Sequence, residues 1–190
     1  HINRIISLME AQQNNVEYPY LFWNQNYNFG YPTPIFYCNL FLYWPAALLT
    51  DGMLPVLVYK KYVFGLVWIA TMMIGLCSYK VSKRSGYAAI LAMLLFMLNT
   101  HSITDILRRG GLGELLALVF IPICLAGIYQ TMYKDSRRWI WLAVGYCGLV
   151  LSHNISFILM CIVFAVFALI NMKKLWREKI RILNILQAIL

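Results

Sequence analysis

Of the 190 residues, 62% are hydrophobic and 12% are charged, and the mean hydropathy is +0.67. A soluble domain carries about 45–50% apolar and about 25% charged residues, so the composition excludes an ordinary soluble fold and predicts an all-α, polytopic membrane protein. A formal net charge of +9 suggests nucleic acid as a partner, but the placement of the charges removes the need for one, as shown below.

In chain order, "HINRIISLMEAQQ" has apolar residues at 2, 5, 6, 8 and 9, the spacing of an amphipathic helix. "NNVEYPYLFWNQNYNFGYPTPIF" is rich in Asn, Tyr and Pro and too polar to cross lipid. "FYCNLFLYWPAALL" predicts a short helix lying in or dipping into the interface, its Tyr and Trp at headgroup depth. Asp51-Gly52 marks a turn. Residues 1–55 thus form an external region of juxtamembrane helices and a re-entrant loop, and residues 56–190 a helical bundle. The bundle has about five spans, near 62–81, 86–98, 113–131, 139–151 and 155–171. Crossing the hydrocarbon core takes about 20 residues. The second and fourth spans reach only about thirteen before a polar break. Either their helices continue through "NTHSITD" and "SHN", or they leave polar backbone at membrane depth, where it survives only inside protein or beside a wet cavity. A start at His1 without methionine, and a stop at Leu190 within an apolar run, are expected of a piece of a longer chain.

Lys80, Lys83 and Arg84, then Lys134, Arg137 and Arg138, then Lys173, Lys174, Arg177, Lys179 and Arg181 fall in alternate gaps. This is the positive-inside pattern and predicts that these gaps face the cytoplasm. Residues 1–55 and the loops around 99–112 and 152–154 then lie on the outer face, where Arg4, Lys60, Lys61, Arg108 and Arg109 balance Glu10, Glu17, Asp51, Asp105 and Glu114. Of the five cysteines, only Cys38 falls outside an apolar span, so no internal disulfide is expected.

The outer face holds "TDILRRGGLGE", residues 104–114, between two apolar stretches. Ionisable groups at membrane depth are costly and mark substrate or ion paths. Asp105 and Arg109 are four apart, so a helix would pair them. Arg109 and Glu114 flank a glycine run that lets backbone approach a ligand. The same residues also admit a purely structural reading, in which they neutralise one another and pin a loop. His153 is either a ligand or part of a capped helix start at "SHN", and His101 sits in "NTHS", ordinary turn composition. Tyr31 and Tyr37 either shape a turn or offer flat faces to a sugar ring or polyprenyl chain. The sequence has no Walker A loop, GxGxxG, HExxH or GxSxG, and its His and Cys lack zinc spacing. Nucleotide-driven, flavin and zinc-hydrolase chemistries therefore have no support, and no metal-ligand set is assigned. A divalent cation is compatible with the hard carboxylates present.

"HINRI", "GYPTPIFYCNLFLYWPA", "TDILRRGGLGE" and "LSHNIS", in this order, resemble the YfhO-type bacterial polytopic membrane proteins, a group overlapping the 6-pyruvoyl-tetrahydropterin synthase-related membrane proteins. The matching positions are His1, Arg4 and Ile5; Gly30, Tyr31, Pro34, Phe36 and Tyr37; Thr104, Asp105, Arg109, Leu112, Gly113 and Glu114; and Leu151, Ser152 and His153. Arg108 stands where an apolar residue is more usual, and Cys38 where a proline is common. The resemblance extends to the C-type (GT-C) glycosyltransferases, which take sugar from a polyprenyl-phosphate carrier on the outer membrane face. It implies an external glycan or glycolipid acceptor, with a general-base aspartate lying just upstream of His1. Of the carboxylates present, Asp105 or Glu114 could take the catalytic part, and Arg4, Arg109, His153, Tyr31, Tyr37 and His1 are the candidates for binding donor phosphate or substrate. The physical reading adds one expectation: Arg4, Asp105, Arg109, Glu114 and His153 converge on one outward cavity. A non-enzymatic transporter or binding protein for lipid-linked glycans, or a structural membrane subunit, remain alternatives.

Overall fold

The computed structural model describes residues 1–50 and 52–189. Within them the regular structure is helical, with one isolated antiparallel bridge between Phe22 and Tyr31. The chain divides into two compact units, His1–Leu66 and Val67–Leu190.

The first unit opens with α1 (Ile2–Gln13), whose apolar spacing buries Ile5 and Leu8 as it packs against α3 (Tyr43–Thr50). Asn26, Tyr27, Asn28 and Gly30 all take positive φ and turn the chain sharply, and the Phe22–Tyr31 bridge closes that turn. L-residues other than Asn and Gly pay for this region of φ, so Tyr27 is held there by the closure around it. The predicted re-entrant stretch is therefore a compact loop, followed by the single turn α2 (Thr33–Phe36). Amide and hydroxyl groups tie the loop to α1, where Ser7 donates to Asn24 Oδ1 at 2.5 Å, Asn24 to Glu10 at 2.7 Å and Gln25 to Ser7 at 3.0 Å, and Thr33 of α2 donates back to Gln25 at 3.1 Å. A 3-10 turn at Leu40–Leu42 runs into α3, so the predicted interfacial segment is helical.

α4 (Pro55–Val81) begins on a proline, whose fixed φ and missing N–H suit a first helical position. It passes from the first unit into the second, which continues with α5 (Gly86–Leu98), α6 (Thr100–Thr104) and α7 (Leu112–Tyr133). α8 (Ile140–Ser152), α9 (Asn154–Ile170), α10 (Met172–Arg177) and α11 (Lys179–Ile189) complete it. Five spans were expected; among the described residues two helices are long and apolar enough to cross a membrane, α4 with 27 residues and α7 with 22. At about 1.5 Å per residue these exceed a hydrocarbon core of roughly 30 Å. α5 and α8 have 13 residues each and α9 has 17, short because Asn99, His153 and Asn171 end the apolar runs with capping groups. The alternative of helices continuing through "NTHSITD" and "SHN" does not hold, since the backbone turns extended at Asn99 and His153.

α7 and α8 form the tightest pair, antiparallel, with Gly127 against Leu142, Gly145 against Cys124 and Gly148 against Phe120. Ala117, Cys124, Ile128, Met132, Leu142, Leu149 and Met160 make the core around this seam. At its far end Arg181 holds the close of α7, donating to the Thr131 and Lys134 carbonyls at 2.7 and 3.1 Å and to Glu178 at 2.6 Å. The hydrogen bond from Arg181, then the charges around it, hold the Glu178 carboxyl below its ordinary 4.5. A depressed folded-state pKa stabilises above the unfolded value and is lost as pH falls through the folded one. The thermal midpoint of Glu178→Gln is therefore expected to lie below that of the wild type above pH 4.5, and the gap to close on acidification below it. A gap that persists unchanged at acid pH would contradict this assignment.

Candidate functional site at the start of α7

The stretch between α6 and α7 owes its shape to a π-helical turn, Asp105–Arg109, which ends at Gly110 with φ +59° and ψ 33°. Single π turns inserted in α-helices recur at functional sites. Asn99 caps α6 by accepting from the His101 N–H at 2.9 Å. Gly110 takes the left-handed conformation that closes helices, and the chain re-enters a helix at Leu112. Glu114 thus falls in the first turn of α7, where a carboxylate faces the positive end of the helix dipole.

These turns bring three predicted residues into direct contact. Arg109 Nη1 donates to Asp105 Oδ1 at 2.9 Å and to Glu114 Oε2 at 3.0 Å, and Nη2 donates to Glu114 Oε1 at 2.9 Å. The hydrogen bond to Glu114, followed by the charges of Glu114 and Asp105, raises the pKa of the Arg109 guanidinium above its ordinary value, so it stays charged. The Asp105 side chain is 1% exposed and that of Arg109 54%. A guanidinium has five N–H donors; three are engaged here, and the rest of a half-open group faces outward. Asp105 Oδ2 is buried and accepts no hydrogen bond. The imidazole Nε2 of His101 stands 3.6 Å from it. Arg108 is exposed.

His153 closes the other side of α7's first turn. A side chain at Gly113 would place its Cβ 3.1 Å from His153 Cδ2 and 3.4 Å from the Ser152 carbonyl, so the missing side chain lets the α8–α9 corner approach. His153 also caps α9, its Nδ1 lying 2.8 Å from Ser156 Oγ and accepting from the Ser156 N–H at 3.4 Å. Loss of a side-chain cap costs about 1 kcal/mol. His153→Ala is expected to lose about that much stability and His153→Asn to keep most of it. Equal thermal midpoints for the two variants would show that the cap contributes nothing.

The remaining predicted residues belong to the first unit. Arg4 donates to Asn39 Oδ1 at 2.7 Å and lies 5.3 Å from the centre of the Tyr37 ring, while its Nε is buried without a hydrogen bond. Burial lowers the pKa of this guanidinium below its ordinary value, partly offset by Tyr37 and Cys38. His1, Arg4 and Tyr31 line one open recess of about 690 Å³ with Asn24, Gln25 and Thr33. Asp105, Arg109 and Glu114, with His153 nearby, thus belong to one unit, and His1, Arg4, Tyr31 and Tyr37 to the other. The i, i+4 spacing from His101 to Asp105, and on to Arg109, is the sequence signal for the place of His101 beside this cluster. No known protein family, no curated protein and no solved structure matches this chain.

Proposed function

We propose that this is a multi-span membrane glycosyltransferase of the C type, which transfers sugar from a polyprenyl-phosphate carrier to an external glycan or lipid acceptor. Membrane embedding is supported by two helices of spanning length and by apolar faces that no protein covers. On α5 these are Ile90, Leu94, Leu95 and Leu98, and on α9 Ile155, Ile158, Leu159 and Ile162. Contiguous exposed apolar surface of this kind marks contact with lipid or a partner. Basic residues at the end of α4, after α7 and after α9 then face the cytoplasm, and the α6–α7 junction faces out.

The observation that carries the reading is Arg109: a guanidinium fixed by two carboxylates, half open, with donors left over. Such a group binds a phosphate in a set orientation. In the reaction the acceptor hydroxyl attacks the anomeric carbon, and the bond from that carbon to the carrier phosphate breaks with its electron pair passing to the phosphate. Arg109 would stabilise that developing charge. The hydroxyl proton goes to a carboxylate base. Asp105 and Glu114 hold the guanidinium in register.

The test is transfer from a polyprenyl-phosphate-linked sugar by the protein in liposomes, comparing wild type with Glu114→Gln. Loss of transfer with the fold intact is expected. Unchanged transfer would remove the cluster from the mechanism, whereas binding and translocation of the carrier without transfer would favour a transporter.

A further inference from the structure

We infer that His101, Asp105 and Glu114 form a binding site for one divalent cation of the manganese or zinc type. This deepens the reading of the cluster and rests on it for purpose, though the geometry stands independently of any transfer reaction. One donor atom from each of the three residues lies within 4.8 Å of the other two. A carboxylate cluster alone argues nothing, since Arg109 already pairs with both acids. The second observation is Asp105 Oδ2, an oxygen on a side chain 1% exposed that accepts no hydrogen bond. A buried charged acceptor left without a hydrogen bond carries its desolvation uncompensated, and a ligand that fills it recovers that cost.

The charges agree. Asp105 and Glu114 against Arg109 leave one negative charge uncompensated when His101 is neutral, so the cluster favours a cation at the open oxygen. The spacing agrees as well. Two ligands each about 2.1 Å from a metal lie about 3.4 Å apart at tetrahedral and about 3.6 Å apart at trigonal angles. His101 Nε2 and Asp105 Oδ2 are 3.6 Å apart. The third ligand must close in, because no two ligands on one ion of this size exceed roughly 4.2 Å. Glu114 is 29% exposed and can rotate one oxygen off Arg109 to do so. Imidazole nitrogen with two carboxylates is a borderline donor set, which suits Mn²⁺ or Zn²⁺ over Ca²⁺. When bound, such an ion neutralises phosphate oxygens as a Lewis acid.

His101 is the informative position: it is exposed, and its side chain supports nothing else described here. The experiment is Mn²⁺ binding to the purified full chain in detergent, followed by electron paramagnetic resonance and by titration calorimetry, with no sugar donor present. One saturable site is expected. His101→Ala should weaken it by tenfold or more, in line with loss of one ligand, and Asp105→Asn should abolish it. Arg108→Ala should leave it unchanged. Wild-type protein without a saturable site, or His101→Ala binding Mn²⁺ as tightly as wild type, overturns the inference. Because no transfer is measured, a failed glycosyltransferase assay leaves this result untouched, and an active enzyme that binds no Mn²⁺ sinks the metal site alone.

Discussion

Gly127→Ala is expected to destabilise the protein by about 3 kcal/mol, the upper end of what overpacking a well-filled core costs. A Cβ built at Gly127 falls 2.6 Å from the Leu142 nitrogen, 2.7 Å from its Cα and 3.0 Å from the Trp141 carbonyl carbon. All three are backbone atoms of α8 or its first turn, so no change of rotamer relieves the clash and the helices must part. Gly145 repeats the arrangement from the other side, with the Cys124 nitrogen at 2.7 Å and Cα at 2.9 Å. Helices approach this closely only where small residues line the contact. One methyl group at this seam therefore acts directly on the α7–α8 packing. Two controls set the scale. Gly75→Ala meets the Met93 Sδ at 2.5 Å, the end of a flexible side chain that can yield, and should cost far less. Gly65→Ala meets nothing within 4 Å and should stabilise α4 by roughly 0.5–1 kcal/mol. The measurement is thermal unfolding in detergent micelles. A Gly127→Ala midpoint equal to that of Gly65→Ala would end the argument. Gly127→Ala combined with Gly145→Ala should cost less than the sum, because the first methyl already separates the contact that the second would strain.

Helix positions in this chain were largely legible because apolar runs stop where the helices stop. Gly86–Leu98, Leu112–Tyr133 and Asn154–Ile170 all fall within a residue or two of the predicted stretches. α4 was the exception: Lys60 and Lys61 interrupt the apolar run without interrupting the helix, which starts at Pro55. Lysine is a good helix former, so the end of an apolar run need not be the end of the helix that carries it. The pairing of Asp105 with Arg109 followed from an i, i+4 spacing, and it survives although the local turn is π rather than α. The fork from Arg109 to Glu114 was not readable to that detail, because it depends on Gly110 reversing the chain between them. Nor was the α7–α8 seam: a lone glycine in an apolar run is silent until the opposing helix supplies the atoms it makes room for.

Arg109→Ala is expected to lower sugar transfer by roughly 10²–10³-fold, the loss typical of removing one preorganised donor to a developing oxyanion. The protein should stay folded, since the side chain is half exposed and the site lies outside the α7–α8 core. Arg109→Lys discriminates binding geometry from charge. An ammonium is a point charge without the planar fork, and it cannot meet Glu114 through two parallel bonds while also reaching Asp105 as Arg109 does at 2.9–3.0 Å. It should therefore recover less than a tenth of the lost rate. If simple positive charge near the carrier were sufficient, lysine would restore nearly all of it. Glu114→Gln removes the partner that orients the fork, so the double variant with Arg109→Ala should be no slower than Arg109→Ala alone, as residues acting as one unit are not additive. Independent losses that multiply in the double variant would mean that Glu114 touches substrate directly. Arg109→Ala within threefold of wild type, in protein with an unchanged thermal midpoint, would reduce the cluster to a structural clasp that pins the α6–α7 junction.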